Sequence, residues 1–203
     1  MVQQVDEDRA LKLTAKDYER AAHEGVVYQL DVPAKKPGTY QLRLAVRDAA
    51  SAKLGSASQL VEVPALATNR IALSGITLST ESADSPRGEE VANSIANLAM
   101  RRFRSSSNLF YSYVVYVGRA RKSTEAPALL AEVRLFRDGA LVYGGDAKAI
   151  DMSGQSDVER ITAAGGLRLN SLAPGTYVLQ VKVKEPSGKG GDATQLIDFE
   201  VVP

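Results

Sequence analysis

The chain carries an internal repeat: residues 37–48, PGTYQLRLAVRD, return at 174–185 as PGTYVLQVKVKE. Each copy continues into further matches, ASQL (57–60) with ATQL (193–196) and VEV (61–63) with FEV (199–201). After the tyrosine of each copy every second residue is apolar, which is the pattern of a half-buried strand. The preceding Pro-Gly pair is typical of a tight turn that enters such a strand. The repeat therefore predicts two copies of one β-structured unit.

A tyrosine shortly after such a turn, at the start of a strand, resembles the tyrosine corner of immunoglobulin-like sandwiches. We predict an all-β fold class: an immunoglobulin-like or fibronectin III-like β-sandwich, one complete and one partial, with a short helical insertion. The complete unit is residues 67–203. Its predicted strands cover 70–78 with a β-bulge at Gly75, then 109–117, 129–136, 141–143 after a hairpin turn, 167–172 and the two strands of the repeat. These are about seven strands, the complement of a two-sheet sandwich.

The first unit, residues 1–66, is short of strands. Besides the repeat, only residues 10–14 and 26–32 have a strand-like pattern. A unit with half of its strands cannot close a two-sheet core. The missing strands come from an upstream part of a longer chain, from the second unit or from another molecule, including a dimer through this unit. We expect the first of these sources.

An insertion near residues 80–107 follows the opening strand of the second unit. Its segment SPRGEE at 85–90 is typical of a helix N-terminus, because acidic residues are favoured in the first turn. Val91, Ile95 and Leu98 then follow at helical spacing. We predict a short helix that packs on the sandwich.

Composition excludes several kinds of chemistry. The chain has no cysteine and His23 is its one histidine, which excludes thiolate and multi-histidine metal sites. It contains no phosphate-loop or hydrolase motif, and a net charge of +1 gives no general attraction to nucleic acid. No apolar run is long enough to span a bilayer. We expect no enzyme activity, no cofactor, no metal, no nucleic-acid partner and no membrane insertion.

Two neighbouring segments carry a family resemblance, GTYQLRLAVRDAAS at 38–51 and LGSASQLVEVP at 54–64. They closely resemble the region that follows the von Willebrand factor A domain in the VWFA-related proteins of Acidobacteria. Residues 70–76, 101–103 and 109–116 are similar to later blocks of that region. The resemblance implies an exported, extracytoplasmic (periplasmic or secreted) bacterial protein of unknown biochemical role. It also implies a neighbouring VWFA-type domain or another protein as the partner.

The A domain itself is absent from this sequence, together with its metal-binding motif Asp-x-Ser-x-Ser. The nearest string, DMSGQS from Asp151, has its second serine one position late. Because so short a motif is weak outside its structural context, we expect no metal at Asp151. The resemblance also implies a C-terminal piece of a longer protein, which starts inside its first sandwich.

The aromatic strand FYSYVVYV at 110–117 is the best indication of function, because both of its alternating faces are apolar or aromatic. A surface strand of a sandwich usually has one polar face. The outer side of this strand must therefore be covered, by the insertion helix, by the first unit or by a partner. The predicted partner surface consists of Tyr111, Tyr113, Val115 and Val117, together with the basic residues Arg101 and Arg102.

Three functions compete at this stage. The leading hypothesis is a non-catalytic scaffold or protein-interaction region. The second is a carbohydrate-binding module that uses Tyr111, Tyr113 and Tyr143, since a tyrosine combines an apolar ring with a polar hydroxyl. The third is a hydrolase that uses a pair of carboxylates, for which two acidic side chains would have to face each other across a cleft.

Overall fold

The computed structural model describes residues 4–26, 28, 30–66, 70–80, 100–118, 128–187 and 190–203. Within these residues the chain is mostly β-strand with very little helix, which confirms the predicted all-β class. The elements are α1 Ala15–Glu24, β1 Gly38–Arg47, β2 Leu54–Val63, β3 Ile71–Leu73, β4 Thr77–Thr80, β5 Arg102–Arg104, β6 Asn108–Val117, β7 Leu130–Arg137, β8 Ala140–Gly144, β9 Lys148–Ala149, β10 Arg160–Arg168, β11 Gly175–Lys184 and β12 Asp192–Val202.

The strands form three sheets in the described part of the chain. The first hairpin is the antiparallel pair β1–β2. The small sheet has the order β10-β6-β3, and β4 also pairs with β6. The large sheet has the order β5-β12-β11-β7-β8, and β9 also pairs with β7. Every pair is antiparallel except β5–β12, which is parallel.

The hydrophobic core contains residues of both the small and the large sheet. Strand β11 shows how the sequence builds it, because every second residue from Tyr177 to Val183 is apolar and buried. Full burial of each such side chain contributes roughly 1.5–3 kcal/mol. The core residues of β11 are Tyr177, Leu179, Val181 and Val183, and those contributed by β6 and β10 include Leu109, Tyr113, Val115, Ile161 and Ala163.

The strands predicted for both copies of the repeat are confirmed, since β1 and β11 each begin at the glycine of the Pro-Gly turn. In the first copy Tyr40 lies opposite Val61. In the second copy Tyr177 lies opposite Phe199. Relative to the repeat tyrosine on the paired strand, the VEV and FEV endings therefore occupy the same positions. The ASQL and ATQL segments are offset from each other by two residues. The division into a partial unit, 1–66, and a complete unit, 67–203, stays a prediction.

Both repeat tyrosines close the turn before their strand with the same hydrogen bond. The Tyr40 hydroxyl donates to the carbonyl of Lys36 at 2.7 Å. The Tyr177 hydroxyl donates to the carbonyl of Ala173, also at 2.7 Å. The two differ in their surroundings, because Tyr177 is buried and stacks on Phe199, whereas Tyr40 is only partly buried.

The β-bulge predicted at Gly75 is confirmed. Leu73 of β3 lies opposite Val115, and Thr77 of β4 lies opposite Ser112. Residues 74–76 therefore face only the two intervening residues of β6, which is the extra residue of a bulge. The Ser74 hydroxyl closes the irregular step by accepting from the backbone N–H of Val114 at 2.9 Å.

The strands predicted at 10–14 and 26–32 are wrong, because none of the described residues in these ranges is in a strand. The chain instead forms α1 directly after the first range. The Thr14 hydroxyl caps this helix by accepting from the backbone N–H of Asp17 at 3.2 Å. Gly25 ends it with φ 80, a left-handed conformation that favours glycine. His23 lies in this helix.

The strand predicted at 167–172 is misplaced, since β10 covers Arg160–Arg168 and residues 170–172 form a turn. The segment AAGG at 163–166 has low β-propensity, and its pairing with the aromatic strand β6 overrides that preference. The helix predicted after residue 85 lies outside the described residues. The described end of the insertion contains the unpredicted strand β5.

We expect Tyr177→Ala to lower the free energy of unfolding by about 3 kcal/mol, because it removes a buried ring and a hydrogen bond. Urea unfolding measures this quantity. Tyr40→Ala is the matched control, because it loses the same hydrogen bond but a partly exposed ring. We expect less than about 1 kcal/mol for the control. A loss below about 1 kcal/mol for Tyr177→Ala would contradict its role in closing the turn.

Candidate ligand-binding cleft

The structure places most of the predicted partner surface on the core side of β6. Tyr113 and Val115 are 4% and 0% exposed, and both belong to the hydrophobic core. Tyr111 and Val117 are partly buried and pack against that core. Tyr113 and Val115 therefore cannot form an outer surface in this structure. Alternation along the strand puts Phe110, Val114 and Tyr116 on the outer face instead.

Arg101 and Arg102 lie elsewhere, at β5 on the edge of the large sheet. Arg101 forms an ion pair with Asp198 and Arg102 forms one with Glu200, each at 2.8 Å. All four side chains are well exposed, so these pairs contribute at most about 1 kcal/mol each. The two arginines brace β5 against β12 and do not share a sheet with the aromatic strand.

The three tyrosines of the carbohydrate hypothesis are brought together. Tyr111, Tyr113 and Tyr143 line one cleft of about 730 Å³. The cleft opens where strand β10 of the small sheet meets β7, β8 and β9 of the large sheet. Its volume lies in the range of roughly 300–1,000 Å³ that is usual for small-molecule sites.

Two glycines of β10 make room for aromatic rings of β6, and one of these rings, that of Tyr111, lines the cleft. Gly165 lies opposite Tyr111 in the sheet, and a Cβ atom at Gly165 would overlap the Tyr111 hydroxyl. Gly166 lies opposite Phe110, and a Cβ there would come within 3.3 Å of that ring. Small residues thus let two aromatic rings of β6 lie flat over the backbone of β10, one on each face of the sheet.

Tyr143 stands at the mouth of the cleft, on the edge strand β8. It lies opposite Leu135, a core residue, and therefore projects from the inner face of the large sheet. It is nevertheless 49% exposed. A register shift between Leu135 and Phe136 disturbs the pairing with β8 next to this position. The ring is an aromatic surface that solvent or a ligand can reach.

A polar rim surrounds the tyrosines. The Gln155 amide donates to the carbonyl of Thr162 at 2.9 Å and accepts from its N–H at 3.2 Å, which ties the rim loop to the edge of β10. Asp151 accepts from the backbone N–H of Ser153 at 2.8 Å. Hydrogen bonds from the backbone and then the side chain of Ser153 hold the pKa of Asp151 below its usual value. Asp151 is therefore a charged hydrogen-bond acceptor at neutral pH.

The hydroxyls of Tyr111, Tyr113 and Tyr143 have no hydrogen-bond partner among the described residues. In that part of the chain every fully buried side-chain oxygen or nitrogen has a hydrogen-bond partner. A hydroxyl without a partner is therefore not fully buried, and these three are accessible from the cleft that their side chains line. Burial, with a smaller contribution from Tyr111, raises the pKa of Tyr113 to about 12. Burial, with a smaller contribution from Tyr143, also raises the pKa of Tyr111. Both hydroxyls therefore keep their protons at neutral pH and can donate as well as accept.

The described residues contain neither a cluster of metal ligands nor a membrane-spanning helix. Among the described residues, no group of three or more histidine, aspartate or glutamate side chains could hold a metal ion. In the same part of the chain, no helix is long and apolar enough to cross a membrane.

The three tyrosines that the sequence grouped in the carbohydrate hypothesis line one cleft, whereas the other residues of the cleft were not predicted. The signal for Gly165 is a glycine that lies opposite an aromatic residue of the adjacent strand. This signal requires the correct bounds of β10, and the predicted strand begins only at residue 167. The rim residues Asp151, Gln155 and Thr162 lie together only through a loop that carries no motif.

Comparison with models of known protein families finds no match, and no curated protein sequence matches the chain.

We expect the protein to lose stability above about pH 10. Since the Tyr113 pKa is raised to about 12, the unfolded chain loses this proton first. The stabilisation is complete below about pH 10 and is lost as pH rises toward 12, by roughly 2–3 kcal/mol. Urea unfolding at stepped pH measures the loss. Tyr113→Phe should reduce the pH dependence, and Tyr18→Phe, at an exposed tyrosine of α1, should not. Equal pH dependence in both variants would contradict the assignment.

Proposed function

We propose that this chain is a non-catalytic β-sandwich region, of the immunoglobulin-like or fibronectin III-like type, that acts as a scaffold and protein-interaction region. Two sheets that share one core and the backbone hydrogen bonds of Tyr40 and Tyr177 support this type of fold. The resemblance to the VWFA-related proteins supports an extracytoplasmic bacterial setting and a neighbouring VWFA-type domain as the partner.

The observation that carries the proposal is the unequal burial of the two repeat copies. Strand β11 pairs with β12 on one side and with β7 on the other. In the described part of the chain, β1 pairs with β2 alone. Val183 of β11 is 0% exposed, whereas Leu44 and Val46 on the corresponding face of β1 are 46% and 73% exposed. None of the described side chains between residues 4 and 66 is buried.

This contrast indicates what the partner provides. It adds a strand antiparallel to the open edge of β1, as β7 does for β11, and an apolar layer over Leu44 and Val46. The opposite face of β1 carries Arg43 and Arg47. Acidic side chains on the added strand would pair favourably with these arginines, because oppositely charged cross-strand neighbours stabilise a sheet. We place this strand in the neighbouring domain.

The hydrolase alternative has less support. Asp146 and Asp151 both line the cleft. A hydrolase of this class needs one carboxyl group whose pKa is raised, so that it can act as an acid. The pKa of Asp151 is shifted in the opposite direction. Hydrolytic turnover that a single substitution in residues 67–203 abolishes would nevertheless overturn the non-catalytic proposal.

Site-specific photo-crosslinking tests the interaction face. A benzophenone side chain in place of Val46 should crosslink to a partner strand, because this position is on the uncovered apolar face. The same group in place of Tyr18, an exposed residue of α1 outside the first hairpin, is the control and should crosslink far less. Mass spectrometry of the product distinguishes a neighbouring domain from a second copy of the chain or an unrelated protein. Equal crosslinking from both positions, or none from Val46, would contradict the proposal.

A further inference from the structure

We propose that the cleft between β10 and strands β7–β9 binds a short, uncharged oligosaccharide. The site lies in residues 111–167 and shares no residue with the interaction face of the first hairpin. The inference is therefore independent of the scaffold function.

The first argument is the arrangement of the aromatic rings. Tyr143 is exposed at the mouth, Tyr111 is half-buried in the wall and Tyr113 is buried beside it. A sugar ring has an apolar C–H face and a rim of hydroxyl groups. A tyrosine offers an apolar ring face for the first and a hydroxyl for the second. Tyrosines at graded depth can therefore contact more than one ring of a short oligosaccharide.

The second argument is the supply of polar groups. The three tyrosine hydroxyls have no partner among the described residues, and each can both donate and accept. Asp146 and Asp151 add acceptors, and Lys148 adds a donor. Two carboxylates and one ammonium group leave a net negative charge, which disfavours an anionic ligand. Hydroxyl-rich ligands need many such donors and acceptors in a small volume.

The third argument separates a sugar from an extended peptide. A peptide that adds to a sheet needs a strand edge with unpaired backbone groups. At the cleft, the Gln155 amide occupies both backbone groups of Thr162 on β10. Across the cleft, β8 and β9 cover the edge of β7. These contacts shorten the strand edges to which a peptide could add, and the tyrosine, aspartate and lysine side chains of the cleft suit a ligand that is recognised through hydroxyl groups.

The shape of the site is also fixed before a ligand binds. The position of Tyr111 depends on the missing Cβ of Gly165. Gly165→Ala would push the Tyr111 ring off β10 and toward the cleft, since the tyrosine side chain can yield more easily than the sheet backbone. This substitution changes the shape of the cleft without removing any polar group.

An array of immobilised neutral and acidic oligosaccharides tests the proposal, followed by calorimetric titration of the full chain with the neutral trisaccharides maltotriose, cellotriose and chitotriose. We expect saturable binding of at least one neutral oligosaccharide. Tyr143→Ala should weaken it about tenfold, as expected for the loss of a stacked aromatic contact. Gly165→Ala should weaken it by a similar factor. Tyr18→Ala, which removes an exposed tyrosine outside the cleft, is the matched control and should leave the affinity unchanged.

The outcomes are decisive in either direction. Binding of no neutral oligosaccharide would overturn the proposal, as would binding of acidic oligosaccharides or of unstructured peptides alone. Binding that survives both Tyr143→Ala and Gly165→Ala unchanged would place the ligand elsewhere and would also overturn it. Thermal melts of each variant establish that it is folded, and the exposed position of Tyr143 keeps that variant informative if Gly165→Ala is unstable. Crosslinking from Val46 should be the same in all cleft variants, so failure of one proposal is distinct from failure of the other.

Discussion

The burial of β11 is the constraint on which the rest of the structure depends. Its inner residues, from Tyr177 to Val183, are buried because β12 and β7 flank the strand and the small sheet covers it. Removing any of these neighbours would expose alternating apolar residues whose burial contributes several kcal/mol. The first copy shows the result, because β1 has nearly the same pattern, pairs with one strand in the described part of the chain and remains exposed. An apolar alternation thus specifies a strand, whereas its neighbours decide whether that strand is buried.

Features fixed by local chemistry were predictable from the sequence. The alternation of β1 and β11, the parity change at Gly75 and the turn at Asp138 and Gly139 all correspond to strands or irregularities in the structure. Features fixed by distant neighbours were not. Strand β10 contains two adjacent glycines, and only its pairing with the aromatic rings of β6 makes it a strand. Helix α1 escapes prediction for a different reason, because its capping residue Thr14 belongs to the strand-like pattern of residues 10–14.

The candidate site likewise combines features that were predictable from the sequence with features that were not. Tyrosines can be identified from the sequence as candidate ligand-binding residues, and three of them line one cleft. Their orientation could not be predicted, since β6 is apolar on both faces and parity alone does not say which face is inside. Small residues of β10 lie opposite aromatic residues on both faces, Gly165 opposite Tyr111 and Gly166 opposite Phe110, so residue size across this strand pair does not distinguish them. The inner face is the one that packs into the core shared with the large sheet, through Leu109, Tyr113 and Val115.

The open edge of β1 has a consequence for the newly made chain. The first hairpin leaves the ribosome before the strands of the large sheet have been synthesised. An uncovered strand edge is a template for intermolecular pairing and hence for aggregation. Arg43, Arg47 and Lys53 place positive charge along and beside this strand, where neighbouring nascent chains would repel one another. The same basic residues thus favour solubility for as long as the edge of this strand is uncovered.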